Sequence, residues 1–230
     1  MDGSQFTSGF CAVNPNSKIP AAVDNDGPDG ERIELFESGS IILYLAEKHK
    51  RFYPTDVKLR AQIMNWIFWQ VKYVKSEQIL LQLEHSDLNG IVHFSQMGGQ
   101  GPMTGNFGHF FVYAPASKIE TRDYGVARYG MEVMRLSDVL DKHLATRTYL
   151  VGEEYTIADM TCFTWYYQLK NYKHACGVTA AEYLGMEKYT HVNAWAARIA
   201  TRPAVQRGLQ VCGFNGVAKP WLVSSSAVDA

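Results

Sequence analysis

Two hydrophobic periods divide the chain. At RIELF (residues 32–36) apolar Ile33 and Leu35 alternate with Glu34, the period of a strand with one covered face. The preceding AAVD (residues 21–24) and the turn-rich NDGPDG between them complete the pattern of a β-hairpin. At Ser38 the period changes. Ile41, Tyr44 and Leu45 recur at helical spacing, Ser38 and Ser40 stand before them, and Lys48, His49 and Lys50 close the run, so both ends of a helix are marked. From Val57 onward helical spacing dominates, in LRAQIMNWIFWQ, in KIETRDYGVARYGMEVMRLSDVLDKHLA, in TIADMTCFTWYYQLKNY and in THVNAWAARIATRP. The second part is expected to be an all-α domain.

Two local signals sharpen this division. In NPNSKIPAAVD (residues 14–24) a cluster of turn-formers runs into Pro20 immediately before the first strand. Proline cannot donate to a β ladder, so this backbone belongs at a strand start or an edge, where something other than the sheet can use it. In YTIADM, Thr156 precedes Asp159 by three residues, the spacing of a capping box in which hydroxyl and carboxylate satisfy each other's backbone N–H groups. The YLVGEE stretch before it is expected to pack Tyr149, Leu150 and Val151 across the domain.

Composition narrows the classes without choosing among them. The 230 residues are 47% hydrophobic and 13% aromatic, enough for a sizeable core. Twenty-two basic residues against 23 acidic ones, a formal net charge of -1, give no electrostatic reason to expect a nucleic-acid or membrane-surface partner. No signal-peptide pattern opens the chain and no apolar run is long enough for a membrane span, so a cytoplasmic location is expected. Cys11, Cys162, Cys176 and Cys212 show neither CxxC nor metal-finger spacing. They are expected to be reduced thiols with no metal, and Cys11, beside the turn cluster, is the one with a redox alternative.

The stretches NPNSKIPAAVD, LFESGSIILYLAEK, NWIFWQ, GPMTGNFGHFFVYAP, YLVGEEYTIADM and RPAVQRG together resemble the cytosolic glutathione transferases, within them the Nu-class bacterial enzymes and fungal relatives that act on disulfides. The resemblance covers most of the chain. It implies an α+β fold: a truncated thioredoxin-like N-terminal domain (hairpin plus helices, residues 1–54) and an all-α C-terminal domain (residues 55–230). It further implies a homodimer with glutathione as co-substrate, and a small electrophile or disulfide as the second substrate. The position of Ile19 corresponds to the residue before a cis-proline, Pro20, whose backbone pairs with the cysteinyl unit of glutathione as a short added strand.

The residues themselves fit that ligand. The γ-glutamyl end of glutathione carries a carboxylate and an ammonium. Ser38 offers a hydroxyl and a backbone N–H at a helix N-terminus, and Glu37 a carboxylate. The alternative is that Ser38 caps the helix and Glu37 complements its dipole. By resemblance, Gln5 and Lys18 reach the glycyl end and Arg128 projects toward the tripeptide, with a helix salt bridge to Glu132 as the alternative for Arg128. GPMTGNFGHFFVYAP carries too many glycines and aromatics for a plain helix. Its His109, Phe110, Phe111 and Tyr113 are candidates to surround an apolar second substrate, against ordinary core packing for each.

Two departures from the family pattern stand out. The chain is expected to begin near the family's second helix, without the first strand, helix and second strand and their Thr-Pro-Asn-type residues; little turnover is expected from such a chain, and the catalytic group is left unknown. Residues 71–96 interrupt a segment that the family carries unbroken and are expected to be extruded, of the kind a retained intron would add. The leading expectation is glutathione-dependent conjugation or thiol–disulfide reduction. A non-catalytic binding or regulatory protein of the same fold is the alternative, and a peroxide or stress regulator using Cys11 a third.

Overall fold

The computed structural model describes residues 6–71, 99–114 and 119–211. The N-terminal part opens with a short helix α1 (Ser8–Val13), followed by strands β1 (Ala21–Asp24) and β2 (Ile33–Phe36) and helix α2 (Ser38–Lys48). The strands pair antiparallel with Ala21 opposite Phe36 and Asp24 opposite Ile33, the hairpin expected from the alternation. Its two strands bury little on their own, and a two-stranded sheet is marginal in water. It rests on α2, and α2 in turn packs on the helical domain through buried Ala46. Ile42, Leu43, Phe52 and Tyr53 also lie against the main core.

The helical domain comprises α3 (Val57–Val71), α4 (Gln100–Gly108), α5 (Ile119–Leu144), α6 (Ile157–Asn171), a single-turn α7 (Ala180–Tyr183), α8 (Thr190–Ala200) and α9 (Pro203–Val211). Along α5, Val126, Val133, Leu136, Leu140 and Leu144 form one buried stripe, spaced by three, four and seven residues as a helix face requires. Ile63 of α3, Phe107 of α4, Ile157 and Phe163 of α6 and Trp195 and Ile199 of α8 close the core. Among the described residues no helix is long and apolar enough to cross a membrane.

At the centre of this core lies Asp159, fully buried. Its Oδ1 accepts from the Leu150 N–H at 2.9 Å and from the Trp195 indole N–H at 2.8 Å; its Oδ2 accepts from the Thr156 N–H at 3.0 Å and hydroxyl at 3.1 Å. The expected capping box is therefore one half of a junction. The same carboxylate ties the Leu150 loop and α8 to the start of α6. Burial raises its pKa, against the pull of these four donors.

The glycine-rich segment after residue 99 is helical, contrary to the expectation that its glycines and aromatics exclude a plain helix. The irregularity comes at the end, where α4 runs into a π-helical turn, His109–Tyr113. Its glycines serve packing: a Cβ on Gly108 would lie 2.5 Å from the Tyr172 ring, and one on Gly101 2.8 Å from Gln70 Nε2. The expected extruded segment 71–96 lies outside the described residues, apart from Val71. The chain returns at Gly99 directly against α3, where a Cβ would lie 1.8 Å from the Trp69 carbonyl oxygen.

Candidate functional site

The hairpin brings the two N-terminal motifs together. Since Ala21 pairs with Phe36, Pro20 just before β1 and Glu37 just after β2 flank the same end of the hairpin, with Ser38 opening α2 there. The Ile19–Pro20 peptide is cis, as the resemblance implied, and Ile19 is 79% exposed. Lys18, Glu37 and Ser38 are exposed beside it.

Asn14 holds this loop, and the sequence marks it only as a turn-former. It is buried, its Nδ2 donates to the Lys18 carbonyl at 2.6 Å, and its Oδ1 accepts from the Asn16 N–H at 2.9 Å. The Asn14 carbonyl also accepts from the Ser17 N–H at 2.9 Å. One buried amide thus fixes the peptide immediately before Ile19. Cys11 stands behind the loop with its Sγ 3.2 Å from the Ser17 hydroxyl.

On the facing side, Glu37 takes φ 69° and ψ 119°, a conformation that costs a non-glycine residue of the order of 1–3 kcal/mol. It is the N-cap of α2, and no side chain caps that end. The alternative in which Ser38 caps the helix is therefore not what the chain does: Ser38 is the first helical residue. The first N–H groups of α2 open at this end without a side-chain cap, the arrangement that favours an anion.

The far end of the hairpin is locked to the far end of α2. Lys48 Nζ donates to Asp24 Oδ2 at 2.6 Å and also contacts the Asp26 carbonyl, and the Tyr44 hydroxyl donates to the same Oδ2 at 2.8 Å. The Lys48 and Tyr44 hydrogen bonds hold the Asp24 carboxyl down at about 2, well below its ordinary value. With β1 and α2 joined there, the placement of Pro20 relative to Ser38 is fixed by two attachments rather than by the turn alone.

The other expected site residues lie elsewhere. Gln5 is outside the described residues. Arg128, on α5, takes its salt-bridge alternative: its Nη1 lies 3.3 Å from Glu132 Oε1, while Arg135 Nε reaches Glu132 Oε2 at 2.9 Å. The four aromatic candidates point in different directions from the π-helical turn. Phe111 is buried and stacks on Phe107 at 5.1 Å; Phe110 stacks on Tyr129 at 5.6 Å; His109 is exposed with its ring edge-on to Phe110; Tyr113 is 69% exposed. Phe111 lines a cavity of about 380 Å³ between the π-helical turn, α5 and the loop before α7. Among the described residues, no group of three or more His, Cys, Asp or Glu side chains is placed to hold a metal ion.

Comparison with known proteins agrees with the helical core. Residues 110–203 match the family described as glutathione S-transferase, C-terminal domain. The chain is 44% identical over 215 residues to the disulfide-bond oxidoreductase YghU of Escherichia coli, covering 94% of this chain and 62% of that protein. It is 36% identical over 208 residues to the disulfide-bond oxidoreductase YfcG of the same organism, covering 90% of this chain and 78% of that one.

The chain belongs to the glutathione transferase superfamily. Its fold agrees with this: a glutathione transferase from Burkholderia graminis, crystallised with two glutathione molecules bound per subunit, superimposes with a TM-score of 0.74. That likeness is at 32% identity over 92% of this chain and 75% of the other. As with YghU, the relatives extend beyond what this chain spans. Within the family a Nu-class-like assignment fits, and the α+β reading of a small thioredoxin-like part followed by an all-α domain holds.

Proposed function

We propose that this transferase-fold chain binds glutathione at the hairpin–α2 junction and serves a glutathione-dependent reaction of the thiol–disulfide or conjugating type. The observation that carries the reading is that the exposed cis Ile19–Pro20 peptide, entering β1, and Glu37 and Ser38, leaving β2, flank the same end of the hairpin at a helix N-terminus without a side-chain cap. The backbone at Ile19 suits an extended peptide, the first turn of α2 a carboxylate, and Glu37 an ammonium, and glutathione presents all three within one γ-glutamyl-cysteinyl unit. Exposed Lys18 is taken, on the same reading, to meet the glycyl carboxylate. The names of YghU and YfcG and the glutathione held by the Burkholderia protein support this direction.

The reading takes residues 1–54 as the glutathione-binding unit and residues 55–230 as the helical domain that receives the second substrate. It also takes the chain to be a cytoplasmic homodimer. Exposed Val57 and Phe68 on α3 and Tyr124 and Met131 on α5 are the apolar surface available for that pairing. Arg128 contributes to the site only by exchanging its Glu132 partner for the ligand.

Calorimetric titration with glutathione tests the proposal. Ser38→Ala is expected to lower affinity about tenfold or more, from the loss of a charge-assisted bond of about 1.5–3 kcal/mol, and Glu37→Gln to weaken it as well. Equal affinities across the three proteins would remove the junction from the site. Binding without turnover of a small mixed disulfide would favour the non-catalytic reading.

A further inference from the structure

We infer that the chain carries a second ligand site, for a planar aromatic acid, in the cleft where the turn after α2 meets the loop before α6. A cavity of about 500 Å³ opens there, within the size range of small-molecule sites. It lies at the C-terminal end of α2, whereas Ser38 opens the N-terminal end, and the eleven residues of that helix keep the two places about 15 Å apart. This site is independent of how the hairpin binds glutathione.

The turn Lys50–Phe52 is built against local preference. Lys50 takes φ 51° and Phe52 φ 64°, and a positive φ on a bulky aromatic residue persists only where its surroundings enforce it. The Phe52 carbonyl accepts the first N–H of α6, from Ile157 at 3.1 Å, and the Arg51 N–H donates to the Ala46 carbonyl at 3.0 Å. The Phe52 ring is thereby set edge-on to Tyr155, with centroids 5.8 Å apart, and Tyr155 meets Tyr149 at 5.8 Å. Leu59, Val151 and fully buried Ile63 add apolar wall to the same cavity.

Two guanidinium groups stand on these rings. Arg202 Cζ lies 4.1 Å from the Tyr155 centroid and 5.9 Å from that of Phe52, and Arg51 Cζ lies 4.9 Å from Phe52. A ring covers the face of a guanidinium and leaves its N–H edge, which can only donate. Arg60, Arg128 and Arg135 each reach a glutamate, but among the described residues neither Arg51 nor Arg202 forms an ion pair or a side-chain hydrogen bond. The cavity's own carboxylates, Glu153 and Glu154, are exposed on the loop, where Glu153 accepts from the Thr148 hydroxyl at 2.8 Å. With Lys50 the cavity carries three cations against these two carboxylates. Burial holds the Tyr155 hydroxyl up at about 12, so at neutral pH it adds no negative charge. Rings for a flat apolar body and a guanidinium fork for a carboxylate together select an aromatic acid.

Naphthalene-2-carboxylate is the probe, titrated calorimetrically into the full chain beside 2-naphthylmethanol, which keeps the rings and lacks the charge. The acid should fill one site per chain, and the alcohol should bind about tenfold more weakly or worse. Arg202→Gln should lower affinity for the acid about tenfold and leave that for the alcohol unchanged. Tyr155→Phe, which keeps the ring beneath Arg202, should bind the acid as the parent does, and matching melting temperatures separate these effects from loss of fold. Saturating glutathione should leave the titration unchanged, and amide exchange with the acid bound should show protection over residues 50–56 and 152–156 rather than at Ile19 or Ser38. No binding, equal affinity for acid and alcohol, an Arg202→Gln chain that binds like the parent, or displacement by glutathione would each overturn the inference.

Discussion

The hairpin unit and the helical core reach definite structures by opposite means. Up to residue 54, only Asn14 and Ala46 are buried among the described residues. The unit is shaped by individual polar attachments: Asn14 on the Lys18 carbonyl, Lys48 and Tyr44 on Asp24, and a strained Glu37 between strand and helix. The helical domain is shaped by burial, with Phe107, Leu140, Ile157, Trp195 and Ile199 nearly without exposure and the buried Asp159 carboxylate met by four donors. The lesson lies in the division of labour. The core supplies stability that the hairpin borrows through α2, which leaves the hairpin free to expose backbone and carry strain where a ligand would bind.

If that division holds, substitutions in the core should act on folding and those in the hairpin on binding. The largest effect is expected at Asp159. Asp159→Ala strands the Leu150 and Thr156 N–H groups, the Thr156 hydroxyl and the Trp195 indole, and should cost about 3–5 kcal/mol in urea unfolding. Asp159→Asn should cost less, because it keeps one accepting oxygen. An Ala variant within about 1 kcal/mol of the parent would show that the junction does not hold the core.

Asn14→Ala comes next. It leaves the Lys18 carbonyl and the Asn16 N–H without their partner and frees the loop before Ile19. A loss of about 1–2 kcal/mol is expected for the local unit, together with weaker glutathione binding in calorimetry. Loss of stability with unchanged binding would separate Asn14 from the site.

The smallest effect is a pH dependence confined to the hairpin. Asp24 ionises at about 2 in the folded chain against an ordinary 3.8, so its contribution is present in full above the unfolded value and is lost as pH falls from about 4 toward 2. Asp24→Asn should flatten that part of the melting profile while leaving the neutral-pH core unchanged. A variant with the parent's acid profile would place the acid sensitivity elsewhere.

How much of this could be read from residues alone follows the same division. The hairpin, α2 with its marked ends, α5 and the Thr156–Asp159 box were legible because each is governed by local periodicity or capping. Pro20, Glu37 and Ser38 were legible as a candidate site because turn chemistry and a helix start lie close in sequence, and the family resemblance pointed to the cis bond. Less was visible where distant segments meet. Nothing in YTIADM announces that Trp195 reaches Asp159 from 36 positions away. The Asn-Pro-Asn run signals a turn and not the burial of Asn14. The π-helical turn sends Phe110, Phe111 and Tyr113 in three directions, which adjacency in sequence cannot reveal. Arg202 reaches the Phe52 and Tyr155 rings with no motif to announce it.

Amide hydrogen exchange with and without glutathione tests the division between a binding hairpin and a stabilising core most directly. The account predicts added protection at the amides of Ile19, Ser38 and Gly39, where an extended ligand backbone and its carboxylate would be held, and little change along the buried stripe of α5. Protection confined to the helical domain, or none at the hairpin under saturating glutathione, would contradict it.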